Sequence, residues 1–209
     1  MGSGAIDRPA RLPEGTTSAI AAATRRVWTE AELQALPSDS YDYELVDGTL
    51  VMSPKNSFLH GDLCSRLSAA LVTFNEAHQL GVVLDSSTGF WMRNRNCRAP
   101  DISFVTRSRM KSLGFSRKET RFFPGGPDLA VEVLAPSNTR SELDARLRDF
   151  FDSGTRLAWV IHPMEQFVEI CRSPIDRQIV GAGAFLDGGE VLPGFQFPVA
   201  NLFHVPDWD

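Results

Sequence analysis

Ala99-Pro100-Asp101-Ile-Ser-Phe-Val105 and Pro127-Asp128-Leu-Ala-Val-Glu132-Val-Leu-Ala-Pro136 are two short apolar runs, each bounded by proline and each carrying carboxylates. Their β-branched content reads as buried strand. A charge beside a buried strand is costly unless it is paired or binds a metal. Asp101 and Glu132 therefore predict neighbouring strands whose acids meet at one cation.

Working outward, 209 residues with 43% hydrophobic and 22% charged composition suit one well-cored domain. Residues 1–26 are expected to form a poorly ordered N-terminal arm, and residues 27–209 a single domain. Cys64, Cys97 and Cys171 are widely spaced and lack a CxxC pair, which points away from a disulfide framework or structural zinc and fits a reducing cytoplasm. No apolar run reaches membrane-spanning length.

Periodicity supplies the rest of the architecture. Trp28 to Leu36 reads as a short helix with Thr29 and Glu32 as a capping box, ended by Pro37. Tyr41 to Met52 alternates about Asp47-Gly48, a hairpin signal. Asn56 to His78 places Leu59, Leu63, Leu67, Ala70, Leu71 and Phe74 at helical spacing. Strands follow at Val82–Leu84 and Gly89–Met92, then the Asp101 strand, a basic loop and the Glu132 strand. Thr139 to Asp152 reads as a second amphipathic helix closed by Gly154, and Leu157 to His162 as a strand directly after it. A strand near Phe167–Cys171 and hairpin or docking segments to Phe203 complete the chain. The expected class is α+β, with a central mixed, largely antiparallel sheet flanked by helices.

The net charge of −5 is unevenly distributed. Between Arg93 and Arg121 nine basic residues face two acids, a local charge of +7 that leaves −12 for the remainder. A basic lobe beside a carboxylate strand suits an enzyme acting on a polyanion, because phosphates must approach acids that repel them. The same composition also describes a solvated loop.

The order helix, strands, helix, strand, with acids on inner strands, resembles the PD-(D/E)XK nuclease superfamily. Five motifs sharpen the likeness: Tyr43-Glu44-Leu-Val-Asp-Gly-Thr-Leu-Val-Met-Ser-Pro54 followed by His60, Pro100-Asp101-Ile-Ser-Phe-Val105, Pro127 to Ser137, Gly154 to Pro163, and Leu192-Pro-Gly-Phe195. In that order they resemble the Uma2 family of restriction-endonuclease-like proteins, across roughly Trp28 to Phe203.

The resemblance implies a restriction-endonuclease-like fold and a metal-dependent endonuclease acting on DNA. Asp101 and Glu132 match the metal-ligating carboxylates, Glu44 a third acid of the site, and Val133 a backbone-carbonyl ligand. Mg²⁺ or Mn²⁺ is the implied cofactor, since hard cations take oxygen ligands. Where the superfamily carries a lysine two residues after the acid, this chain has Leu134. The family's lysine on the next helix corresponds to Arg146, which lies about 60° from Leu143 on a helical projection and so borders the apolar stripe. Arginine can hold a phosphate but cannot act as a base. Its structural alternative is an ion pair with Glu142, and that of the two acids is salt bridging to arginines. His60 falls within the apolar stripe of the long helix; it either lines the site, against water or Glu44, or simply packs.

Two functions follow: a DNA endonuclease using Glu44, Asp101, Glu132, Arg146 and His60, or a catalytically inactive protein of the same fold that binds nucleic acid or a protein partner. Cleavage of both strands would favour a homodimer, with apolar surface at Phe122-Phe123 or Phe195 to Phe203 as the contact.

Overall fold

The computed structural model describes residues 27–37, 41–205 and 207; the arm expected at residues 1–26 lies outside them. Helix α1 (Glu30–Gln34) starts from the anticipated capping box, in which the Thr29 hydroxyl accepts the Glu32 N–H while the Glu32 carboxylate accepts the Thr29 N–H. Strands β1 (Tyr41–Val46) and β2 (Thr49–Pro54) form a hairpin in the register Leu45↔Leu50. Its two turn residues, Asp47 and Gly48, have φ of 49° and 76°, the left-handed pair that a two-residue hairpin requires. Helix α2 (Phe58–His78) begins at Ser57, whose hydroxyl accepts the His60 N–H.

Next come β3 (Gly81–Asp85), β4 (Phe90–Trp91), β5 (Cys97–Arg98), β6 (Ile102–Thr106), α3 (Arg107–Ser112), β7 (Phe123–Pro124) and β8 (Leu129–Val133). Helix α4 (Arg140–Asp152) has a second capping box, Thr139 with Glu142, and ends at Gly154 with φ 102°. Strands β9 (Leu157–His162), β10 (Phe167–Cys171), β11 (Arg177–Val180), β12 (Phe185–Asp187) and β13 (Gln196–Pro198) lead to α5 (Val199–Phe203).

The main sheet runs β11-β10-β9-β8-β6-β3, antiparallel except for the β8–β9 pair, which α4 connects as a crossover. Both of its faces are covered, so its central strands read as unbroken apolar runs. Val131, Val133, Trp159 and Ile161 face Leu63, Leu67 and Leu71 of α2 together with the C-terminal Leu192, Phe195 and Leu202. Ala130, Ala158 and Val160 face Leu143, Leu147 and Phe150 of α4. Burial is worth about 2 kcal/mol per such leucine, which anchors both helices and hence the side chains at their rims.

The expected central, largely antiparallel mixed sheet flanked by helices is present; beside it β2-β1-β5-β4-β7 forms a second, five-stranded sheet, in which β1 pairs with β5, and β12-β13 a small hairpin. Three expectations need correction. The basic loop contains helix α3, capped by the Thr106 hydroxyl. Arg98 is buried, so it does not belong to a basic surface. Phe123 and Phe195, expected on an exposed apolar surface, are buried, and Phe122, Phe197 and Phe203 are half-buried and pack against cores.

Candidate active site

Asp101 stands immediately before β6. The antiparallel register Ile102↔Val131 carries it to the level of Glu132 near the end of β8. Its Oδ2 accepts the Val133 N–H at 2.7 Å, fixing the carboxylate to the neighbouring strand. From α2, His60 Nε2 comes within 3.1 Å of Asp101 Oδ1, so the partner of His60 is Asp101, where Glu44 was one expected contact. Cys64, one turn further along the same helix, places Sγ 3.6 Å from His60 Nδ1. Burial, reinforced by Asp101 and Glu132, pushes the Cys64 thiol up to about 12.

Glu132, near the end of β8, is met by Arg146 of α4. Arg146 Nη1 donates to Glu132 Oε1 at 3.2 Å and to Glu44 Oε1 at 3.0 Å, while Nη2 donates to Glu44 Oε2 at 2.7 Å. This fork-on-fork pairing is geometry that arginine provides and lysine does not. The alternative pairing with Glu142 is not seen, since that side chain caps α4. Burial pushes the Glu132 carboxyl up to about 8; Arg146 opposes the shift, and Asp101 and Glu44 add to it. Burial alone would lower Arg146, but Glu132, Glu44 and Asp101 outweigh it and raise the guanidinium well above its ordinary value.

Glu44, carried in by β1, accepts four hydrogen bonds: the two from Arg146, one from Arg98 Nη1 at 3.2 Å and one from the Ala99 N–H at 2.9 Å. Arg98 in turn reaches Asp149 of α4, with Nε and Nη2 each 2.7 Å from Oδ2. Asn94 and Asn96 donate to the same Asp149 carboxylate.

The structure thus brings Glu44, Asp101, Glu132, Arg146 and His60 into one cluster, with Val133 contributing its N–H to Asp101. Arg98, Asp149 and Cys64 complete it without having been singled out in the sequence. Two of them left a trace there: Asp149 follows Arg146 at i+3 and Cys64 follows His60 at i+4, spacings that place side chains together on a helix. Arg98 left none beyond its charge.

Four carboxylates against two guanidiniums leave the cluster short of positive charge. Glu132, buried with a single hydrogen bond from Arg146, and Asp101, with spare lone pairs on both oxygens, are the oxygen donors that a hard divalent cation takes. The residues fit such an ion; Glu44, already accepting four hydrogen bonds, fits better as the group that holds the arginines. Outside the cluster, Arg93, Arg95, Arg107, Lys111, Arg117, Lys118 and Arg121 are exposed. No helix among the described residues is long and apolar enough to cross a membrane.

This geometry can be set beside known proteins. A crystal structure titled a putative nuclease belonging to DUF820, from Anabaena variabilis, superposes with a TM-score of 0.71 at 19% identity, covering 84% of this chain and 97% of that one. The likeness establishes a shared fold. Among curated proteins nothing matches. The family model described as "Putative restriction endonuclease" matches residues 30–200, a span that holds all the clustered side chains. The chain belongs to that family, Uma2.

Proposed function

We propose that the chain is a divalent-metal-dependent endonuclease that hydrolyses phosphodiester bonds in DNA. The observation carrying this reading is the Asp101–Glu132 pair, set at one strand level by the β6–β8 register and flanked by a guanidinium held between Glu44 and Glu132. A magnesium or manganese ion bound by Asp101, Glu132 and the Val133 carbonyl would polarise the phosphate and make water a better nucleophile. Arg146, about a quarter exposed, presents its guanidinium to a scissile phosphate and stabilises the charge that develops there. Glu44 and Arg98 keep Arg146 in place, and His60 together with the Val133 N–H orients Asp101. The exposed basic residues around α3 draw the polyanion in. Arg146 removes no proton, because it stays charged at working pH.

The test is a calorimetric Mn²⁺ titration of the wild type beside Asp101→Asn and Glu132→Gln, followed by an assay for Mn²⁺-dependent relaxation of supercoiled plasmid. Saturable binding that is lost in both folded variants, with relaxation by the wild type alone, is the expected outcome. A folded wild type that takes up no Mn²⁺ and cuts nothing would favour an inactive nuclease-fold protein that binds nucleic acid or a partner. One feature favours that second reading: Arg146 already neutralises part of the acidic cluster.

A further inference from the structure

His60 and Cys64 lie at i and i+4 on α2, a spacing that lets two side chains of one helix share a metal. Cys64 Sγ is 3.6 Å from His60 Nδ1, and His60 Nε2 is 3.1 Å from Asp101 Oδ1. One donor atom from each of the three residues falls within 4.8 Å of the other two. We propose that His60, Cys64 and Asp101 form a binding site for a zinc-class divalent ion, with a fourth position open to water or a phosphate oxygen.

Chemistry separates this site from the oxygen-lined one beside it. Mg²⁺ takes oxygen ligands, whereas a thiolate and an imidazole select zinc or cobalt. With bonds of about 2.0–2.3 Å, a tetrahedral zinc ion holds its donors about 3.3–3.6 Å apart. The two short contacts use different ring nitrogens, so one ion takes only one of them: Nε2 already lies 3.1 Å from Asp101 Oδ1, all three donors fall within 4.8 Å of one another, and side-chain rotation brings Cys64 Sγ the rest of the way. As the metal–sulfur bond forms, the thiol proton passes to solvent. Three protein ligands and one open position describe a site that admits an exogenous group.

Asp101 serves both sites, so a zinc-class ion and a magnesium-type ion compete for it. The competition rests on the proposed endonuclease reading; the sulfur-containing site does not. The other two cysteines supply controls, since Cys97 is buried against Leu33 and Leu45 and Cys171 in the α4 core.

The experiment is an anaerobic Co²⁺ titration of the full chain followed by near-ultraviolet absorption. A cobalt–thiolate charge-transfer band should saturate, persist in Cys97→Ser and Cys171→Ser, vanish in Cys64→Ser and bleach on adding Zn²⁺. A folded wild type without the band, or a band that survives Cys64→Ser, overturns the proposal. The band reports sulfur ligation alone and so fails independently of the function above. A Cys64-dependent band in a protein that takes up no Mn²⁺ removes the magnesium-type site and leaves the zinc-class one standing.

Discussion

Two Pro-Asp dipeptides, Pro100-Asp101 and Pro127-Asp128, precede the antiparallel partners β6 and β8 and therefore stand at opposite ends of the same strand pair. Each aspartate uses Oδ2 to accept, at 2.7 Å, the N–H of the last residue of the other strand: Val133 for Asp101 and Thr106 for Asp128. The difference lies at Oδ1. Asp128 faces two permanent cations, Arg156 at 3.1 Å and Arg109 at 3.7 Å, and is almost wholly buried. Asp101 faces His60 at 3.1 Å and is only partly buried. The same dipeptide, with the same backbone anchor, thus serves as a closed structural latch at one end and as a carboxylate short of cations at the other. What completes the second oxygen decides between the roles.

The largest single-substitution effect that could break this contrast is on stability. Asp128→Asn leaves Arg109 and Arg156 without their shared carboxylate and should cost about 3 kcal/mol in urea unfolding, the low end for a buried pair because Arg156 is half exposed. Asp101→Asn, which relieves repulsion within the acidic cluster, should change stability by under about 1 kcal/mol while removing Mn²⁺ uptake. Equal destabilisation by the two substitutions would make Asp101 a latch as well. Next in size, Arg146→Ala should lower plasmid relaxation about 100-fold, as loss of a charge-stabilising donor does, whereas Arg146→Lys should retain or raise the activity. Identical rates for all three proteins would remove Arg146 from the mechanism.

A more gradual effect appears in pH dependence. The Glu132 carboxyl titrates near 4.5 when unfolded and near 8 when folded. Between those values the native state holds the extra proton, so stability should fall as pH rises through this window, on the order of 5 kcal/mol. Glu132→Gln should flatten the slope, and so should saturating Mn²⁺, which favours the carboxylate. A wild-type profile as flat as that of the variant would show that Glu132 is fully compensated by Arg146 and has no need of a further cation.

Much of this was legible in the sequence where the signal is local. Both capping boxes, the Asp47-Gly48 turn, the stripes of α2 and α4 and the apolar strand around Glu132 are patterns within a few residues, and the helical projection placed Arg146 at the rim of its stripe. What the sequence hid lies in contacts between distant segments. Arg98 joins Glu44 across 54 residues and Arg146 joins it across 102, so a count of local charge placed Arg98 on a basic surface when its partners draw it inside. The five-stranded sheet is hidden for the same reason, since β1 pairs with β5 through a single residue pair, Leu45↔Cys97. The role of Asp128 is not legible in its strand, because nothing adjacent to it in the sequence announces Arg109 or Arg156.

The finest test of the contrast lies at His60, the group that stands at Asp101 where two arginines stand at Asp128. A permanent cation there would compete with a divalent ion for Oδ1; an imidazole can hold the carboxylate in position while neutral and then yield. His60→Gln keeps a donor of similar reach, so Mn²⁺ affinity should fall only about 10-fold, in the range seen when a group that orients a metal ligand is changed. Stability should move by less than about 1 kcal/mol. His60→Arg would recreate the Asp128 arrangement and should weaken Mn²⁺ uptake further while stabilising the fold against urea. If His60→Arg left Mn²⁺ affinity unchanged, the identity of the cation at Oδ1 would not be what separates the two aspartates, and exposure alone would have to explain the difference.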